Sequence, residues 1–257
     1  VPSVFVRSTA KAACPYVSKG QVIVDVAKGI EPGSLFTLTQ VIQDELSLRR
    51  ELSDVKLVAL SGPTHAEEVA VDLPTTIVAA CEDMKAARQV QKIFMNPKFR
   101  VYTNEDIHGV EICGAFKNII ALATGIARGR GYGDNTAAAL ITRGVREVSR
   151  LGELMGCRPD TFNGLAGIGD LIVTCTSRHS RNLTCGMLLG QGKAREEAIR
   201  EVGMVVEGIY ALDAAMELKK KYQVELPICE AVDAIVNHGM PVSMAEEALM
   251  GRTGRKE

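Results

Sequence analysis

The chain changes its periodicity at Asn104, and that change constrains the fold more than any other feature of the sequence. From Gln21 to Tyr102, short runs rich in Val and Ile alternate with helix-like stretches. Residues 22–26, 55–60, 76–80 and 99–102 read as strands, with helices over 33–50, 65–71 and 84–95 between them. Such alternation predicts an α/β sheet covered by helices. Beyond Asp106 the period-2 signal is gone, and only helical spacing punctuated by Gly and Pro remains. Helices are predicted over 106–128, 135–155, 167–175, 181–189, 195–202, 207–222, 228–237 and 243–250. The fold class expected is α/β: an incomplete sheet domain over residues 1–104, then an all-helical domain over 105–257.

The sheet half is short for a doubly wound domain, because each βαβ unit takes ~30 residues. No G-x-G-x-x-G turn opens it. The nearest approach, Gly129-x-Gly131-x-Gly133, follows a helix and reads as a helix C-terminus and tight turn. The opening Val1-Pro2-Ser3 carries no initiator Met, no basic segment and no apolar segment, so it reads as a cut start and not as a signal peptide.

Charge and cysteine usage narrow the function class. Thirty basic and thirty-one acidic residues leave a net charge of −1, which supplies no field for nucleic acid or anionic lipid. An anionic ligand has to be held by local donors. The seven cysteines are scattered through apolar runs, without C-x-x-C pairs, and read as reduced core thiols of a cytoplasmic protein. No zinc-type ligand spacing joins them to the four histidines, so no metal is expected. Apolar runs are interrupted before the ~20 residues of a bilayer span, so no membrane span is expected.

Three segments could carry chemistry. Lys117 lies within Ile112-Cys113-Gly114-Ala115-Phe116-Lys117-Asn118-Ile119-Ile120, and its neighbours at helical spacing are Cys113, Gly114, Ile120 and Ala121. A lysine so placed either faces a cleft as a partly desolvated proton donor or snorkels outward along an apolar face. Asp170 ends the glycine-rich run Gly164-Leu165-Ala166-Gly167-Ile168-Gly169 and either caps the following helix or pairs with a cation such as Lys117. The segment Thr176-Ser177-Arg178-His179-Ser180-Arg181-Asn182 opens a helix with hydroxyls, an amide and a guanidinium. That is a donor set for a phosphate dianion, and equally a solvated loop with a Ser N-cap.

Further runs complete the picture: Lys28-Gly29-Ile30-Glu31, Ser61-Gly62-Pro63-Thr64-His65-Ala66-Glu67-Glu68, Gly131-Tyr132-Gly133-Asp134-Asn135 and Val206-Glu207-Gly208. Together with Lys117-Asn118, Gly169-Asp170 and Arg181-Asn182 in that order, they resemble the NAD(P)-dependent glycerol-3-phosphate dehydrogenase family along essentially the whole chain. The resemblance implies a Rossmann-type dinucleotide-binding half followed by a helical catalytic half. It implies Lys117 as proton donor and acceptor, held with the substrate by Asp170. Lys28, Asn118, Thr174, Arg181 and Asn182 would surround the substrate, with Gly62, Thr64 and Ser180 close by. Ala66, Arg181, Val205 and Glu207 would meet the cofactor, NAD or NADP. The implied reaction interconverts dihydroxyacetone phosphate and sn-glycerol 3-phosphate in a cytoplasmic homodimer, feeding glycerophospholipid synthesis. Two rival readings stand beside it. One is another two-domain β-hydroxyacid dehydrogenase with a mid-helix Lys-Asn and no phosphate site. The other is a non-catalytic helical dimerisation or binding module.

Overall fold

The computed structural model describes residues 1–254; residues 255–257, the end of the expected helical half, lie outside the described residues. The sheet half is built from α1 (Val6–Ala13), β1 (Val22–Asp25), α2 (Leu38–Ser47), β2 (Lys56–Ser61), α3 (Ala66–Val69), β3 (Thr75–Ala80), α4 (Met84–Phe94) and β4 (Phe99–Asn104). All four predicted strands form, and they lie side by side in the order β1-β2-β3-β4. β1 pairs parallel with β2, and β3 parallel with β4, across the helical crossovers α2 and α4. The central pair differs from the uniform pattern that the alternation suggests: β2 and β3 run antiparallel, with Ala59 opposite Ala80 and Ser61 opposite Val78. Only the four-residue α3 interrupts their connection, too little helix to carry the chain back along the sheet for a parallel return.

Local chemistry starts these helices where they start. Gln40 Oε1 accepts from the Thr37 N–H at 2.9 Å ahead of α2, and Asp83 Oδ1 accepts from Lys85 N at 2.9 Å ahead of α4. Caps of this kind contribute about 1 kcal/mol each. α1 was not predicted; its single buried side chain, Val6, packs on α2 in a small cluster with Leu38, Val41 and Leu46.

After β4 every described element is helical: α5 (Ile107–Gly129), α6 (Asp134–Leu154), α7 (Pro159–Phe162), a π-helical turn (Leu165–Gly169), α8 (Asp170–Thr176), α9 (Arg181–Gly190), α10 (Arg195–Val202), α11 (Glu207–Tyr222), α12 (Pro227–His238) and α13 (Val242–Met250). The predicted helix over 167–175 is thus shortened. Its first residues form the π turn, so that α8 begins at Asp170 itself. Asp106 caps α5 through Gly109 N at 2.9 Å, while its other oxygen accepts from Thr161 Oγ1 at 2.7 Å and Arg158 N at 2.9 Å. One carboxylate therefore fixes the point where sheet gives way to helices.

α5 is long and apolar enough to cross a bilayer, but its apolar window is wholly enclosed by the rest of the molecule. It is the axis of the helical core, with Ile112, Phe116, Ile119, Ile120 and Leu122 at most 1 % exposed. Four glycines bring α9 against it backbone to backbone. A Cβ on Gly125 would lie 2.2 Å from Leu183 O, on Gly129 2.2 Å from Met187 O, on Gly186 2.3 Å from Leu122 O, and on Gly190 2.2 Å from Ile126 O. Side chains larger than hydrogen cannot occupy that seam, which has the form of two facing small-x-x-x-small stripes. Gly208 does the same for the start of α11, where a Cβ would sit 2.6 Å from Asn118 O. The beginnings of α9 and α11 are thereby pressed onto the middle of α5. A buried carboxylate joins the halves, since Glu111 on α5 accepts from Thr39 N at 2.8 Å and Thr39 Oγ1 at 2.6 Å on α2.

Candidate functional site

The middle of α5 carries Lys117 into the junction between the two halves. The side chain is 10 % exposed, so it is largely desolvated. Its ammonium donates to Asp170 Oδ1 at 2.5 Å and to Thr174 Oγ1 at 2.9 Å. Thr174 spends its own hydroxyl proton on the Asp170 carbonyl at 2.6 Å, which turns a lone pair toward the lysine. The π turn and the start of α8 set these two acceptors one helical turn apart on one face.

A second cation completes the group. Lys28, three residues past the end of β1, donates to Asp170 Oδ2 at 2.6 Å and to Gly62 O at 3.2 Å, just past β2. Gly114 on α5 makes room for it: a Cβ there would come within 3.3 Å of Lys28 Cγ and 3.4 Å of Ser61 Oγ. Two ammonium groups share one buried carboxylate, leaving the trio with a formal charge of +1. Each ammonium has three N–H groups and gives two to the protein, so one on each remains for a ligand.

The electrostatics follow from this count. Burial pulls Lys117 down to about 8, reinforced by the neighbouring Lys28, while Asp170 opposes both. Burial alone would raise the Asp170 carboxyl, but Lys28 and Lys117 together outweigh it and hold it below the ordinary carboxylate range. A lysine near 8, hydrogen-bonded and charge-compensated, can both give and take a proton near neutral pH.

These contacts decide two questions that the sequence left open. Lys117 does not snorkel outward, and Asp170 pairs with cations instead of capping α8. In the phosphate-like segment the alternatives coexist. Ser180 is an N-cap, its Oγ accepting from Leu183 N at 3.2 Å, and Arg181 stands exposed beside it with no ion pair among the described residues. Asn182 is more constrained than its expected role suggests. Its Nδ2 donates to Asn118 Oδ1 at 2.9 Å and its Oδ1 accepts from Gly208 N at 2.8 Å, tying α5, α9 and α11 together. One Nδ2 hydrogen stays available, while the amide oxygen is committed. Asn118 Nδ2 in turn donates to Gly114 O at 3.3 Å.

Thr64 lies in the loop after β2, with Oγ1 donating to Gly62 O at 3.3 Å. Ala66 is exposed at the first position of α3, Val205 is half-buried, and Glu207 opens α11. Glu207 accepts from Ser3 N at 3.0 Å and Ser3 Oγ at 2.5 Å, so both its oxygens already serve the chain. Ser3 itself lies where a Cβ on Gly29 would touch it, which places the start of α11 beside the end of β1. The cofactor-side residues therefore border the carboxyl ends of β1 and β2, where open α/β sheets bind their ligands. Of the four residues expected to meet a cofactor, Ala66 and Arg181 are exposed, Val205 is half-buried and Glu207 is held by Ser3. Sequence reasoning gave no role to Ser3, Ser61 or Gly208, none of which carries a local signal of its partner.

Among the described residues no group of three or more His, Cys, Asp or Glu is arranged to hold a metal ion, and the seven cysteines are free and buried. A cleft of about 1370 Å³ lies elsewhere, between α6, α12 and α13 along the C-terminal part of α5, and no lysine lines it. Geometry and charge make the Lys117 junction the candidate site.

Two family models account for most of the chain. NAD-dependent glycerol-3-phosphate dehydrogenase N-terminus matches residues 1–87, and NAD-dependent glycerol-3-phosphate dehydrogenase C-terminus matches residues 106–247. The chain is 61% identical over 257 residues to glycerol-3-phosphate dehydrogenase (NAD(P)+) 2 of Lactobacillus delbrueckii subsp. bulgaricus, covering all of this chain and 76% of that one. It is 53% identical over 254 residues to glycerol-3-phosphate dehydrogenase (NAD(P)+) of Bacillus subtilis, covering 98% of this chain and 72% of the relative. The crystal structure of glycerol-3-phosphate dehydrogenase from Coxiella burnetii superposes with a TM-score of 0.91 at 36% identity, over 98% of this chain and 75% of that one.

Proposed function

The chain belongs to the NAD-dependent glycerol-3-phosphate dehydrogenase family, and from that premise we propose that Lys117 is the proton donor in the reduction of dihydroxyacetone phosphate to sn-glycerol 3-phosphate. The observation that carries this assignment is the buried Lys117–Asp170–Lys28 trio at the junction of the two halves. NAD(P)H, when bound, is the source of hydride for the carbonyl carbon. The remaining N–H of Lys117 is directed by its two fixed bonds and gives its proton to the carbonyl oxygen. Lys28 keeps a second positive charge beside that oxygen, so that charge developing in the transition state meets a preorganised field. Thr174 and Asp170 hold Lys117 in one orientation, and in the reverse direction Lys117 in its neutral form takes the proton from the secondary alcohol.

Arg181 and Asn182, at the start of α9, hold the substrate phosphate, with Ser180, Thr64, Gly62 and Asn118 around them. The exposed, unpaired Arg181 guanidinium supports this, as does a net charge of −1 that leaves dianion binding to local donors. Ala66, Arg181, Val205 and Glu207 form the nicotinamide side. The division into a partial dinucleotide-binding domain over 1–104 and a helical substrate domain over 105–257 follows the change of element type at Asn104. A cytoplasmic homodimer supplying glycerophospholipid synthesis is the setting that the family resemblance supports, and the free, buried thiols agree with a reducing compartment.

The test is kcat/KM for dihydroxyacetone phosphate and for dihydroxyacetone in wild type and Arg181→Ala. A lost bond between charged groups is worth ~1.5–3 kcal/mol, so the variant should lose roughly ten- to a hundredfold with the phosphorylated ketone. Dihydroxyacetone, which reports only the contact of Arg181 with the cofactor, should lose by a smaller factor. Equal loss with both ketones would assign Arg181 to the cofactor or the fold.

A further inference from the structure

Two histidines that have no part in the trio bring their rings together, one from each half of the molecule. His65 lies between Thr64 and Ala66, after β2; His179 lies immediately before Ser180, in the connection from α8 to α9. Their ring centroids are 5.8 Å apart with the planes tilted by 57°. One imidazole thus comes from the sheet half and the other from the helical half. Each is next to residues placed around the phosphate and nicotinamide, and the two loops meet nowhere else through aromatic groups among the described residues.

His65 carries an unmet demand. Its Nε2 is enclosed by protein and has no hydrogen-bond partner. Buried polar nitrogens are almost always satisfied, and one that is not, beside a binding cleft, calls for a ligand or an ordered water. The surroundings say which kind. The loop bearing His65 is fastened to the lysine trio, because Gly62 O accepts from both Lys28 and Thr64 Oγ1. The unpaired Arg181 guanidinium opens α9, two residues after His179, whose ring meets that of His65. A phosphate bound between these two loops would supply the acceptor that His65 lacks, and a dianion selects the imidazole form with hydrogen on Nε2. His179 is exposed, its backbone N–H bonded to Ser177 Oγ at 3.2 Å, and its ring is the more exposed of the pair.

We propose that His65 and His179 form the outer wall of the phosphate pocket, with His65 Nε2 donating to the substrate phosphate and His179 fixing the angle of the His65 ring. The inference rests on the phosphate site described under the proposed function and adds a substrate-binding residue to it.

Steady-state kinetics of the intact enzyme with dihydroxyacetone phosphate and with dihydroxyacetone test it, using wild type, His65→Phe, His65→Gln and His179→Ala. His65→Phe keeps the ring and removes the donor, so KM for dihydroxyacetone phosphate should rise about tenfold or more. Its kcat, its KM for NADH and its kcat/KM for dihydroxyacetone should stay near wild type. His65→Gln places an amide N–H near the Nε2 position and should recover most of the loss. His179→Ala, on an exposed side chain that the fold does not need, should shift KM for the phosphorylated ketone in the same direction by a smaller factor. An unchanged KM in His65→Phe, a rise for NADH instead, or equal loss with both ketones would overturn the proposal. If wild type fails to discriminate the two ketones, the phosphate site itself is misplaced. If wild type discriminates and His65→Phe retains that discrimination, only the role of His65 falls.

Discussion

Asp170 is the residue on which the site's charge balance turns. It is the sole carboxylate bonded to Lys117 and Lys28 among the described residues, and the effects on Lys117 have opposite signs: burial and Lys28 lower it, Asp170 raises it. Replacing Asp170 with Asn keeps an oxygen acceptor and removes the charge. Lys117, near 8 in the wild type, should then titrate lower. Ketone reduction needs the protonated amine, so its falling limb with rising pH should move to lower pH in Asp170→Asn. Alcohol oxidation needs the neutral amine, and its rising limb should move the same way. pH profiles of kcat/KM in both directions check this, and limbs that stay in place would show that another group titrates. The sequence exposed Lys117 because an ammonium among Cys113, Gly114, Ile120 and Ala121 demands a partner inside the protein. It offered Asp170 as that partner but could not choose, since Asp170 is 53 positions away and a capping role explained it locally as well. For His65 there was no signal at all, because an unsatisfied nitrogen exists only once the chain has folded.

At the level of elements, the site depends on how closely α9 approaches α5. The glycines at 125, 129, 186 and 190 let the two backbones touch, and that contact aligns Arg181 and Asn182 beside Asn118. Gly186→Ala would put a methyl 2.3 Å from Leu122 O, where backbone and not a flexible side chain would have to yield. Overpacking of this kind costs ~1–3 kcal/mol, and here it also shifts the start of α9. The expected result is a lower urea midpoint together with a raised KM for dihydroxyacetone phosphate; an unchanged midpoint would mean that the seam is looser than its geometry. Period and caps made most elements readable from sequence, including every strand and the long helices. Strand direction was not readable. β2 and β3 run antiparallel because of how little helix lies between them, and nothing within either strand reports that. The single-turn helices α3 and α7 escaped or were overextended because four residues complete no hydrophobic repeat.

On the scale of the whole molecule, two differently built halves meet along one line, and the reactive groups lie on it. The sheet half contributes Lys28 and Gly62 from its strand ends; the helical half contributes Lys117, Asp170, Thr174 and Arg181. Neither half holds the trio alone, since Lys28 comes from one and Lys117 with Asp170 from the other. Glu111, bonded to Thr39, spans the junction, and Asp106, bonded to Thr161 and Arg158, fixes the first turn of α5 within the helical half. The change of repeat at Asn104 announced this plan, but the closeness of the two halves depends on pairings such as Lys28 with Asp170, 142 positions apart. The account as a whole stands on Lys117 moving the proton, and the pH profile of kcat/KM for dihydroxyacetone phosphate in wild type and Lys117→Met measures that directly. The wild type should lose activity as pH rises through about 8. In Lys117→Met the rate should fall by ~10²–10⁴-fold, the limb should vanish, and NADH affinity should stay near wild type. A variant that keeps near-normal turnover with the limb in place would contradict the account.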